Sequence, residues 1–186
     1  MVIDDYQWFA IHKVEEQVLA DFKNALLAGK NIGIISEAGC PGVADPGQFL
    51  VEVAQQLEAK VNPLVGPNSI LLALMASGMN GQLFQFNGYL PIDKMERKKA
   101  IQQLEADAQK RGCTQIFIET PYRNMQLVED VITTCHPDSR LCIAVDITSE
   151  MESIQSRKLS WWKSHYKQLT LHKRPAIFLI QAASMK

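Results

Sequence analysis

NIGIISEAGCPGVADPG, residues Asn31 to Gly47, is the stretch from which the fold is read. A short apolar run, Ile32 to Ile35, empties into three small or turn-forming pairs: Ala38-Gly39, Pro41-Gly42 and Pro46-Gly47. Two carboxylates, Glu37 and Asp45, stand among them. An apolar run of this length, closed by Gly/Pro turns and followed by helical spacing, reads as strand, loop, helix. In an open parallel sheet such loops lie at the carboxyl edge, where ligands bind. Their glycines admit a ligand to the backbone, and the helix start offers free N–H groups.

The units on either side keep the same rhythm. Val14, Val18, Leu19, Phe22, Leu26 and Leu27 recur at helical spacing, and Gly29 stands where a helix-ending glycine belongs. A second helix is expected over Gln48 to Lys60 and a second strand over Val61 to Val65. Gly66-Pro67 breaks that strand, and Asn68 or Ser69 caps a helix over Ile70 to Ser77 that stops at Gly78. Strand and helix alternating at this spacing imply βαβ units and a parallel sheet.

Gly78, Asn80 and Gly81 mark a soft boundary, so two domains are expected, 1–80 and 81–186. In the second, Leu83 to Phe86 reads as a strand ending at NGYLP. Lys94 to Lys110 reads as an amphipathic helix with Ile101, Leu104 and Ala108 inward. Thr114 to Glu119 reads as a strand, and Pro121 suits the first turn of a helix running to about Cys135. Leu141 to Ile147 and Ala176 to Gln181 are further β-branched, apolar strands. ESIQSRKL reads as an edge strand and SWWKSHYKQL as a short helix.

The 186 residues carry 19 Lys and Arg against 20 Asp and Glu, a net charge of −1, so no global field recruits nucleic acid. Apolar residues at 47% suffice for a core. Cys40, Cys113, Cys135 and Cys142 form no C-x-x-C pair, which argues against a zinc ribbon and for free thiols in a reducing, cytoplasmic setting. No apolar run reaches membrane-spanning length.

Neither G-x-x-x-x-G-K-[ST] nor G-x-G-x-x-G occurs, so the usual nucleotide-phosphate cradles are missing. His12, His136, His165 and His172 do not pair at metal spacing, and no metal site is expected. Glu37, Asp45 and Glu119 are candidates for a general base, with Asp45 alternatively bracing its loop and Glu119 alternatively pairing with Arg123 four residues on. Lys94, Arg97, Lys98 and Lys99 form a local basic patch that reads either as a phosphate contact or as a solvated helix face. Trp161-Trp162, beside Lys158 and Lys163, reads either as a base-stacking pair or as core.

SEAGCPGVADPG resembles the S-D-A-G-T-P-x-x-S-D-P-G loop of the tetrapyrrole methylase superfamily of S-adenosylmethionine-dependent methyltransferases. PLVGPNSILLALMASG is similar to that superfamily's second loop and helix, and FQFNGYLP with FIETPYR to its second-domain segments. The likeness runs from about Ala10 to Gln181 and is strongest to the ribosomal RNA small-subunit methyltransferase I branch, which methylates a ribose 2′-oxygen. It implies two α/β domains with the cofactor cleft between them. The first would be a mainly parallel sheet and the second a mixed one. The family's first strand and its proline- and glycine-bearing loop have no counterpart here, and MVIDDYQWFAIHK resembles the family segment just after that loop, so the first domain is expected to be incomplete at its amino terminus.

The same resemblance implies S-adenosylmethionine bordered by Ser36, Glu37, Ala38, Gly39, Asn68 and Ser69, and approached by Asn87, Gly88, Leu90 and Pro91. It also implies a homodimer, ribosomal RNA or the small ribosomal subunit as partner, and no membrane. Glu37 replaces the family's usual Asp and Cys40 its frequent Thr. The alternative reading is methylation of a tetrapyrrole or other small molecule, or an inactive truncated member.

Overall fold

A computed structural model describes residues 6–11 and 15–183. The chain gathers into two compact units, one up to Asn68 and one from Ser69. His12 and Val14 lie outside the described residues.

The first unit is built on two helices, α1 (Glu15–Leu27) and α2 (Gln48–Gln56). Phe22 of α1 is buried with Leu50, Val53 and Ala54 of α2, and Val18, Leu19, Leu26 and Ile34 pack around them. α1 stops where expected: Gly29 takes φ 71°, its N–H donates to the Leu26 carbonyl, and the Lys30 N–H reaches back to the Ala25 carbonyl. α2 ends four residues before the expected Lys60. Glu58 turns left-handed at φ 56°, and the Ala59 N–H donates to the Ala54 carbonyl, closing the helix.

The strands expected at Ile32–Ile35 and Val61–Val65 do not form, nor does the parallel sheet that they would build. A strand exists only as a hydrogen-bonded ladder, and neither run pairs with another among the described residues. Apart from Ile34, their apolar side chains are left open, Leu64 at 90%.

The second unit holds the sheet, and its mixed character is as expected. β1 (Phe84–Tyr89), β2 (Thr114–Ile118), β3 (Arg140–Val145), β4 (Ser153–Lys158) and β5 (Ala176–Gln181) are ordered β1-β2-β5-β3-β4. β1 and β2 are parallel, and the pairs β2–β5, β5–β3 and β3–β4 are antiparallel. The carboxyl ends of β1, β2 and β3 therefore share one edge with the start of β5. β4 is an edge strand, as ESIQSRKL suggests.

Strand alternation sends residues to two faces. Ile116, Cys142, Ala144, Ile177 and Leu179 meet Ile70, Ala73 and Leu74 of α3 (Ser69–Ser77). Phe117, Leu141, Ile143, Val145, Phe178 and Ile180 meet α4 (Lys94–Arg111), α5 (Asn124–Thr134) and α6 (Leu159–His165). Asp93 caps α4 by accepting from the Met95 and Glu96 N–H groups, and Gly112 ends it at φ 64°. α5 starts at Asn124 rather than Pro121, because the Arg123 N–H closes a tight turn onto the Thr120 carbonyl first. No helix among the described residues is long and apolar enough to cross a membrane.

Candidate functional site

The Ser36–Gly47 loop is held by its own short-range bonds. The Ser36 hydroxyl donates to the Ala38 carbonyl at 2.8 Å and accepts from the Ala38 N–H at 3.3 Å. Gly39 and Gly42 take φ 80° and 77°, and a Cβ at either would meet no atom within 4 Å. These glycines serve left-handed turns beside open space. The Cys40 thiol reaches the Pro67 carbonyl at 3.8 Å, tying this loop to the second one within the first unit.

The two acids stand differently. Glu37 is exposed, with Ala38 and Gly39 beside it. Asp45 is half-buried and lines an open depression of about 460 Å³ with Pro46, Gly47, Gln48, Phe49 and Glu52, at the start of α2. Gly47 is forced there twice over: its φ is 119°, and an added Cβ would sit 3.3 Å from the Ile34 side chain. Asn68 is half-buried at the end of the first unit, and Ser69 is exposed as the first residue of α3 in the second.

Asn87, Gly88, Leu90 and Pro91 lie at the carboxyl end of β1. Gly88, at φ 64°, accompanies a register shift between Phe86 and Tyr89 that carries β1 past the expected Phe86 end. The Asn87 amide is committed to protein: its Nδ2 lies 2.9 Å from Gln115 Oε1 and 3.2 Å from the Ile116 carbonyl, and its Oδ1 accepts from Gln85. What this segment offers a ligand is therefore backbone rather than that amide. Leu90 is buried in the core beneath α4, anchoring the turn.

A buried ion pair that the sequence reading missed fixes the same turn. Arg97 Nη2 lies 2.7 Å from Asp130 Oδ2, both side chains 3% exposed, and Arg97 Nη1 also donates to the Ile92 carbonyl at 2.7 Å. The signal was present: Arg97 sits four residues before Ile101, on the stripe that faces the core. The expected basic patch is thereby dissolved. Arg97 is structural, Lys98 leans toward Asp130 at 3.8 Å, and Lys99 pairs with Glu96.

At the same sheet edge, Arg123 donates to Glu119 Oε1 through Nε at 3.0 Å and Nη2 at 2.6 Å, and the Thr120 N–H donates to the same oxygen. Glu119 is buried and braces the β2–α5 turn, which is the pairing alternative in its sequence reading. A second clamp, also unforeseen, joins Arg174 Nε to Asp146 Oδ2 at 2.6 Å. Tyr122 is exposed and meets the His172 ring edge-on at 5.9 Å.

The paired tryptophans divide. Trp162 is buried and donates its indole N–H to the Leu141 carbonyl, whereas Trp161 is 37% exposed. Of the other residues with reactive groups, Cys142 has its thiol pushed up to about 12 by burial, and burial with the neighbouring Glu105 raises Cys135 further. Neither is a nucleophile at neutral pH.

No family model matches the chain. It is 35% identical over 167 residues to the Ribosomal RNA small subunit methyltransferase I of Buchnera aphidicola subsp. Schizaphis graminum, covering 86% of this chain and 57% of that one. The protein of the same name from Vibrio cholerae serotype O1 is 35% identical over 153 residues, covering 82% of this chain and 52% of its own length. The chain thus spans about half the length of the curated relatives it matches. Among solved structures, the methyltransferase CobJ shares the fold with a TM-score of 0.60 at 17% identity, over 94% of this chain and 74% of that one.

Proposed function

We propose that, over the part it spans, the chain belongs with the ribosomal RNA small subunit methyltransferase I proteins and is an S-adenosylmethionine-dependent methyltransferase acting on a ribose 2′-oxygen of small-subunit ribosomal RNA. The observation that carries the reading is the 35% identity over 167 residues. The likeness to CobJ, at 17% identity, speaks to the fold alone, so methylation of a small molecule draws no support from it.

The residues present fit such a cofactor. Glu37–Gly39 is exposed backbone, with open space where a Gly39 Cβ would stand, and Glu37 and Asp45 supply carboxylates for cationic groups. In this reading Ser36, Glu37, Ala38, Gly39, Asn68 and Ser69 hold the cofactor, and the backbone of Asn87, Gly88, Leu90 and Pro91 approaches it. When bound, S-adenosylmethionine supplies an electrophilic methyl group on a sulfonium.

The chain's own part is to align and to take up a proton. A ribose hydroxyl is a weak nucleophile, and a carboxylate within reach of its proton assists the displacement. Glu37 and Asp45 remain for that role, since Glu119 Oε1 is occupied by Arg123 and Thr120. The Arg97–Asp130 and Glu119–Arg123 pairs act as positioning groups for the loops after β1 and β2. A cytoplasmic homodimer belongs to the same proposal, with the exposed apolar Met75 of α3 in its support.

The test is transfer of a labelled methyl group from S-adenosylmethionine to small ribosomal subunits lacking the modification. The reading expects label in RNA at an alkali-resistant linkage, lost in one of Glu37→Gln or Asp45→Asn. Label confined to bases or proteins, or no transfer, overturns it.

A further inference from the structure

The charges of this chain are divided along its length. From Ser153 onward, 34 residues carry seven Lys or Arg and no Asp or Glu, so all 20 acids precede them with only twelve basic residues. The fold lays the described part of this basic segment along one path. Lys158 pairs with Arg140 in the ladder, at the sheet end opposite the carboxyl ends of β1 and β2. α6 then runs back over the sheet face, anchored by buried Leu159 and Trp162. The segment finishes at the candidate edge, where the Lys173 N–H donates to the Pro121 carbonyl and His172 meets Tyr122. The path covers a whole strand length, roughly 20 Å.

Its two ends are neutralised, Lys158 by Asp138 at 2.8 Å and Arg174 by Asp146. Arg157, just before the first of these, and Lys163, Lys167 and Lys173 between them are exposed and make no ion pair among the described residues. At the Arg157 end of this segment stands a column of flat groups at four-residue spacing. The Arg157 guanidinium lies 5.6 Å from the Trp161 ring centroid, and Trp161 stacks on His165 at 3.9 Å with 3° between the planes.

We propose that this β4–α6 strip, from Arg157 to Lys173, is a single-stranded RNA track that leads into the edge at Glu119–Tyr122. Free cations in a row with no acid between them complement a phosphodiester backbone. Guanidinium and aromatic planes next to them are the surfaces on which unpaired bases stack. The proposal deepens the RNA-methyltransferase reading and rests on it for the choice of RNA. It moves the RNA contact away from α4, whose basic residues are largely spent on protein acids.

The test is fluorescence anisotropy of a labelled single-stranded RNA of about 12 nucleotides over a salt series, with S-adenosylhomocysteine binding measured alongside. Four phosphate contacts give a slope of log K against log salt of about −3. Lys163→Glu with Lys167→Glu, both on the surface, is expected to flatten that slope by about 1.4 and to weaken binding at least tenfold. Trp161→Ala is expected to weaken binding about tenfold at an unchanged slope. Lys94→Glu with Lys99→Glu is expected to change neither.

Wild-type affinity and slope in the Lys163/Lys167 variant, equal loss in the α4 variant, or equally tight binding of polyglutamate overturns the track. RNA binding that matches these expectations without methyl transfer leaves the track standing and overturns the enzymatic reading instead.

Discussion

Arg97 and Asp130, 33 residues apart on neighbouring helices, meet at 2.7 Å with both side chains withdrawn from water. The pair does more than join α4 to α5. Through Nη1 the same guanidinium holds the Ile92 carbonyl, so the turn after β1 is fixed by a charge that solvent cannot screen. Removing one partner leaves the other buried and uncompensated, a loss of about 3–5 kcal/mol. Urea unfolding of Arg97→Met and of Asp130→Leu is expected to show a loss of that size in each single variant and a smaller one in the double variant. Additive losses would show that the two residues do not act together.

Gly47 begins α2 at φ 119° with Ile34 behind it. Gly47→Ala is therefore expected to destabilise by on the order of 1–3 kcal/mol, read as a lower urea midpoint at an unchanged slope. Gly112→Ala has a φ 64° strain with no atom within 4 Å of the added Cβ and is expected to lose less. Equal losses would remove Ile34 from the account.

How much of this was legible beforehand depends on which forces are local. The ends of α1 and α3 were readable because the left-handed glycines at 29 and 78 announce themselves in sequence. The edge strand β4 was offered by ESIQSRKL, while its place beside β3 was not read from the sequence. Strands at 32–35 and 61–65 were misread because an apolar β-branched run is only a willingness to pair, and the ladder needs a neighbour that local sequence does not specify. Arg97 was misread as a surface cation because its partner, Asp130, is distant in sequence, although its place on the Ile101–Leu104–Ala108 stripe marked it as inward. The family motif loops were legible as motifs, while the commitment of the Asn87 amide to Gln115 is a tertiary fact.

Asp93 supplies a pH dependence with a definite sign. Its carboxylate is held below the usual Asp value, first by the Glu96 N–H and then by the Met95 N–H that it caps. The folded value is the lower one, so the ionised cap's contribution is complete above the ordinary Asp value of about 3.9 and is lost as pH falls through the depressed folded value. The stability difference between the wild-type chain and Asp93→Ala is expected to be flat from pH 5 to 7 and to shrink below about pH 4. A difference that grows on acidification would contradict the capping account.

The four thiols are expected to differ in accessibility. Cys40 is half-buried on the first loop, whereas Cys113, Cys135 and Cys142 are enclosed, with the Cys135 and Cys142 thiolates further disfavoured by burial. At pH 8 an alkylating reagent should label Cys40 alone in the native chain and all four in denaturant, as read by peptide mass spectrometry. Rapid native labelling of Cys142 would contradict the packing of α3 on the sheet.

The proposed methyltransferase cofactor site on the Ser36–Gly39 loop and its companions is tested most directly by calorimetric titration of this chain with S-adenosylhomocysteine. The account predicts one site with a dissociation constant in the micromolar range, roughly −8 kcal/mol, weakened in Gly39→Val and unchanged in Lys163→Glu. Absence of binding heat at every temperature tried, or binding indifferent to Gly39→Val, would contradict it.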